Sequence, residues 1–122
     1  MIPFLEKQVV LLGHSLGGIF LVKYLSENKF PKKILATIIV SAPFKEEIKG
    51  GFKLNKKLDK LQRQSKNLIF YHSLDDETVL FGEFLEYKKL FPKAQFRQFK
   101  KRGHFSQTAF PEMIREIKKI FK

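Results

Sequence analysis

A chain of 122 residues, 43% of them hydrophobic and 14 of them Phe, has room for one domain with a sizeable core. It has no cysteine, which excludes disulfides, a thiolate metal site and a cysteine nucleophile, and fits a reducing, cytoplasmic setting. The net charge of +12 invites a nucleic-acid reading, but the basic residues are 20 Lys spread along the chain and only 4 Arg, so the charge reads as a solvated surface rather than a polyanion site.

The first seven residues show no basic stretch leading into an apolar one, and no signal peptide is expected. Gln8–Leu12 (QVVLL) is a short, Val-rich apolar run and predicts a buried strand. Leu16–Glu27 is apolar nearly all round and predicts a buried helix. Ile34–Val40 (ILATIIV) reads as a strand covered on both faces. Between residues 44 and 63, Leu54, Leu58 and Leu61 recur at helical spacing among lysines, as on a solvated amphipathic helix. Asn67–Tyr71 predicts a third strand, Val79–Phe91 an amphipathic helix, and Gln95–Phe99 a weaker, alternating strand. Phe110–Phe121 closes the series as a helix with Pro111 in its first turn and an apolar stripe of Met113, Ile114, Ile117, Ile120 and Phe121. No apolar run approaches the roughly 20 residues of a membrane span.

Strands alternating with helices imply an α/β fold with a parallel sheet of about four strands and helices on both faces, a three-layer α/β/α arrangement. Right-handed crossovers put all strand C-termini on one edge, where functional residues are expected. Gly13-His14-Ser15-Leu16-Gly17 is a G-x-S-x-G motif at a strand-to-helix junction, the context of a nucleophile elbow. Gly13 and Gly17 leave room for the backbone to pass at the sharp turn, and Gly18 adds room for helix–strand contact. The Leu16 amide, at the helix start, is placed to face a developing oxyanion. His14 is expected to turn away from Ser15 and to pack or hydrogen-bond.

A serine nucleophile needs a base, and the base an orienting acid. His104 follows the fourth strand and precedes the last helix, on the expected edge, and is the candidate base. His72 ends the third strand and reads as structural. Just past that strand, SLDDETV supplies Asp75 and Asp76. Adjacent side chains diverge, so only one of the pair is expected to face the base. The order Ser15, Asp76, His104 matches the nucleophile–acid–base order of this architecture. Capping of the following helix is the alternative role for the Asp pair.

These residues resemble the α/β-hydrolase superfamily, and within it the small serine hydrolases of the retinoblastoma-binding protein nine type. The matching pieces are GHSLGG, VSAPF at Val40–Phe44, SLDDETV at Ser73–Val79, and GHFSQTAFPEMIREIKKIF from Gly103 onward. The resemblance implies Ser15 as nucleophile, the second Asp, Asp76, as acid and His104 as base. It implies hydrolysis of an ester, amide or short peptide through an acyl-enzyme, with no metal or organic cofactor. The retinoblastoma interaction does not carry over, because its binding motif needs a cysteine. The resemblance also implies earlier strands and a loop donating the second oxyanion N–H, whereas seven residues precede the first strand here. The chain is therefore expected to correspond to the C-terminal part of such a hydrolase, impaired when alone. The Gln8–Leu12 edge would then pair with a second copy or with the missing half. Two rival readings stand beside this one: a non-catalytic remnant serving as an interaction module, and a basic nucleic-acid-binding protein.

Overall fold

The computed structural model describes residues 8–44, 59–107 and 109–121. Strands β1 (Gln8–His14), β2 (Lys33–Val40), β3 (Leu68–Ser73) and β4 (Gln95–Phe99) alternate with helices α1 (Leu16–Glu27), α2 (Asp59–Gln64), α3 (Phe81–Leu90) and α4 (Pro111–Ile120). All neighbouring strands pair in parallel, in the order β1-β2-β3-β4. Leu54 and Leu58 lie outside the described residues, and α2 retains Leu61 as its buried residue.

Two-sided burial explains why β2 and β3 read as continuous apolar runs. Along β2, Ala36, Ile38 and Val40 join the cluster that includes Met113 of α4, while Ile39 joins Val22, Leu25, Leu61 and Phe84 of the other three helices. β3 divides the same way, with Ile69 and Tyr71 on the α4 face and Leu68 and Phe70 opposite. This is the period of two expected of a strand packed on both faces. Phe70 stacks on Tyr87, Phe91 and Phe96, tying α3 and β4 to the sheet. Helices therefore cover both faces, α1, α2 and α3 on one and α4 on the other. Two residues of the expected α4 stripe, Ile114 and Phe121, remain about half exposed, at 52% and 53%.

β1 has a strand neighbour on one side only among the described residues. Its burial is correspondingly poorer than that of β2, and Leu12 is 54% exposed. The parallel order brings the C-terminal ends of all four strands to one edge. The ladder runs on there into Ser15, whose amide bonds the Val40 carbonyl at 2.9 Å, and Ser41, whose amide bonds that of Tyr71 at 2.8 Å.

Candidate active site

Ser15 stands between β1 and α1 with φ 58° and ψ −121°. A non-glycine residue in this region costs of the order of 1–3 kcal/mol and persists only where its surroundings impose it. Here the serine amide is fixed by Val40, and its carbonyl accepts from Gly18 at 2.9 Å and Ile19 at 3.2 Å, which starts the helix. Glycine is required at Gly13 and Gly18, as expected from the sequence, but not at Gly17. A Cβ on Gly13 would lie 2.5 Å from the Gly17 carbonyl oxygen. A Cβ on Gly18 would lie 2.8 Å from that of Ala42, whereas one on Gly17 meets nothing within 4 Å. The helix thus approaches the strands through Gly18, and Gly17 serves as the surface that Gly13 must clear. The Leu16 amide donates no hydrogen bond among the described residues, as the first amides of a helix do not.

The acid turn follows β3. Asp76 is 3% exposed, and its Oδ1 accepts the amides of Thr78 and Val79, each at 2.9 Å. This is an Asx-type turn, and α3 begins beyond it, at Phe81 rather than at Val79. Oδ2 of the same carboxylate lies 2.9 Å from His104 Nδ1. Burial pushes the Asp76 carboxyl up, but the hydrogen bonds from His104 and from the Val79 and Thr78 amides outweigh it and hold the group below its ordinary value. The fully buried Ser41 hydroxyl faces the carboxylate beyond strict hydrogen-bond geometry and acts in the same direction.

His104 rides on a tight turn. The Phe105 amide bonds the Arg102 carbonyl at 2.9 Å, with positive φ at Gly103 (54°) and at Phe105 (57°). Asp75, expected to face away, reaches this turn as well. Its Oδ1 accepts the Gly103 amide at 2.9 Å and the Ser73 hydroxyl at 2.6 Å, while Ser73 Oγ accepts the Arg102 amide at 2.9 Å. The two neighbouring carboxylates thus diverge but grip the same loop, Asp76 by the imidazole and Asp75 by the backbone. The Ser73 and Gly103 bonds lower the Asp75 carboxyl from its ordinary value. Arg102 pairs with Glu112 at the start of α4 and lies over the Phe99 ring, which anchors the loop's far side.

His72 is 1% exposed, and its Nε2 donates to the Val79 carbonyl at 2.7 Å, with Asp76 Oδ2 at 3.6 Å. Burial lowers its basicity, against the opposing pull of that carbonyl and of Asp76. The structural role read for it takes a specific form, a buried neutral brace across the acid turn.

The His14 side chain reaches the base loop, its Nε2 lying 2.5 Å from the His104 carbonyl. The structure therefore brings Asp76 and His104 into direct contact and His14 against the same loop. Ser15 Oγ makes no hydrogen bond to His104 among the described residues. The sequence named Asp75 only as the neighbour of the acid, without its hold on the base loop, and gave Ser73 and Ser41 no role. The doubled Asp was the available signal for the first, and the polar residues ending two otherwise apolar strands were the signal for the others. Among the described residues no cluster of three or more His, Asp or Glu side chains is gathered to hold a metal ion.

No protein-family model matches the chain. It is 28% identical to the serine hydrolase RBBP9 of Rattus norvegicus over 131 aligned residues, which cover 98% of this chain and 68% of that protein. Its fold superposes on the ydeN gene product of B. subtilis with a TM-score of 0.80 at 21% identity, covering 92% of this chain and 64% of that one. It also matches the Pyrococcus furiosus esterase Pf2001 with a TM-score of 0.62 at 18% identity, over 93% of this chain and 52% of the esterase. The chain thus spans about two thirds of the length of RBBP9 and of the ydeN product. With four parallel strands between helical layers and a strained serine at the first strand-to-helix junction, the chain has the fold of the α/β-hydrolase structures it superposes on, and in sequence it is similar to the serine hydrolase RBBP9.

Proposed function

We propose that the chain is a serine hydrolase that transfers an acyl group to water through Ser15, His104 and Asp76. The observation that carries this reading is the 2.9 Å contact between His104 Nδ1 and the buried, multiply bonded Asp76 carboxylate, on the sheet edge that bears Ser15. An imidazole held this way donates Nδ1–H to the carboxylate and keeps Nε2 as the basic nitrogen. Ser15 Oγ attacks the carbonyl of an ester or amide, and His104 Nε2 takes its proton. His104 then returns a proton to the leaving group, and a water repeats the sequence on the acyl-serine. Asp76 keeps the tautomer and stabilises the imidazolium as it forms. The free Leu16 amide, backed by the positive end of α1, stabilises the oxyanion.

The names of the relatives, a serine hydrolase and an esterase, support this reaction class. One oxyanion donor, the Leu16 amide, is assigned here, and a donor of this kind is worth about 10²–10³ in kcat. The outer edge of β1 is where a further strand would add, from a second copy or from a preceding part of a longer polypeptide. The substrate is a small ester or amide, or a short peptide.

The test is pre-steady-state hydrolysis of a short-chain chromogenic ester. A burst equal to the enzyme present, abolished in Ser15→Ala, is expected. Release that is linear from the start and equal in Ser15→Ala would contradict the reading and favour an interaction module that keeps the elbow only as architecture.

A further inference from the structure

Acyl transfer gives Ser15, His104 and Asp76 their tasks and leaves His14 without one. His14 ends β1 immediately before the nucleophile, yet its ring crosses to a residue ninety positions along the chain. Its Nε2 lies 2.5 Å from the His104 carbonyl oxygen. A carbonyl can only accept, so Nε2 carries the proton and donates it. The two imidazole centroids are 4.7 Å apart, with planes inclined at 44°.

The other hydrogen bonds that tie the base loop to its surroundings come from the β3 side, Asp75 on Gly103, Ser73 on Arg102 and Asp76 on the His104 imidazole, and from α4, Glu112 on the Arg102 guanidinium. They fix the loop relative to the acid and leave its distance from the nucleophile open. Among the described residues no hydrogen bond other than that of His14 links the elbow, residues 13–18, to the loop, residues 100–107. Ser15 and His104 share no hydrogen bond of their own, so the gap between them is set by the backbones that carry them. His14 spans those two backbones.

We infer that His14 is a positioning residue: its Nε2–H···O bond to the His104 carbonyl sets the distance across which Ser15 gives its proton to the base. This rests on the acyl-transfer reading. The side chain is exposed, so replacing it disturbs no core packing, and the donor can be tested apart from the ring. Phe keeps a flat ring and removes the donor. Gln removes the ring and places an amide N–H the same number of bonds from the backbone.

Two measurements on the full chain separate the outcomes. One is the second-order rate at which a fluorophosphonate probe labels Ser15. The other, which needs no activity, is backbone amide exchange across residues 100–107. His14→Phe is expected to slow labelling about tenfold, as small misplacements of reacting groups do, and to speed exchange in the loop. His14→Gln is expected to recover most of both. A Phe variant with wild-type labelling or unchanged exchange overturns the inference, as does a Gln variant no better than Phe in either measurement. A wild type that never labels, while loop exchange still follows the donor at residue 14, overturns the acyl-transfer reading and leaves the tie itself supported.

Discussion

Asp75 Oδ1 sits 2.9 Å from the amide nitrogen of Gly103, so the residue beside the candidate acid holds the backbone beside the candidate base. The two contacts from the acid turn act on different parts of one loop. Asp76 orients the imidazole, and Asp75 fixes the turn that presents it.

Replacing Asp75 by Ala removes an acceptor shared by the Ser73 hydroxyl and the Gly103 amide. The expected outcome is a fall of about tenfold in kcat for ester hydrolysis. Asn keeps an acceptor oxygen at the same place, and Asp75→Asn is expected to stay within about threefold of wild type. Steady-state kinetics on the three proteins check this; equal losses for Ala and Asn would count against the clamp.

His72 gives stability a pH dependence whose sign follows from its burial. Its folded-state pKa lies below its ordinary value of 6.5. The unfolded chain therefore takes up a proton at His72 before the folded one does. The stability gained from keeping it neutral is full above about pH 6.5 and is lost as pH falls through the folded value. Thermal midpoints measured from pH 7.5 down to 5 are expected to decline in wild type and to decline less in His72→Gln. The Gln variant should also start lower, by the roughly 1–3 kcal/mol of a disturbed buried hydrogen bond. Parallel curves would show that the pH dependence arises elsewhere.

The glycines of the elbow differ in what they tolerate. Ala at residue 18 places a methyl 2.8 Å from Ala42 Cβ and 3.1 Å from Ile39 Cγ2, where neither backbone can yield freely. A loss of about 1–3 kcal/mol is expected, typical of overpacking. Ala at residue 13 meets backbone at 2.5 Å and should distort the elbow itself. Ala at residue 17 meets open space and replaces glycine in a helix, so it should be neutral or stabilising by up to about 1 kcal/mol. Denaturant unfolding of the three variants tests this ranking.

The order of strands and helices was legible because β2 and β3 are buried on both faces and so appear as unbroken apolar runs. The elbow was legible because five local residues define it. Element ends were less so. β3 continues two residues past Tyr71, since His72 and Ser73 are polar but fully engaged with the acid turn and base loop. α3 starts two residues later than the expected Val79, after the Asx turn that Asp76 makes with the Thr78 and Val79 amides. The contacts that complete the site, His14 to His104 and Asp75 to Gly103, join residues 90 and 28 apart. No local periodicity encodes such pairs; they follow from the parallel order of the strands, which brings every C-terminal end to one edge.

Fluorophosphonate labelling of the purified chain, with the modified residue mapped by mass spectrometry, tests the central claim most directly. Such a probe reacts with a serine that its base has already activated. Labelling is expected at Ser15, absent in Ser15→Ala, lost in His104→Ala and strongly reduced in Asp76→Asn. A folded wild type that stays unlabelled, or labelling that persists in His104→Ala, would contradict a working Ser15–His104–Asp76 relay in this chain.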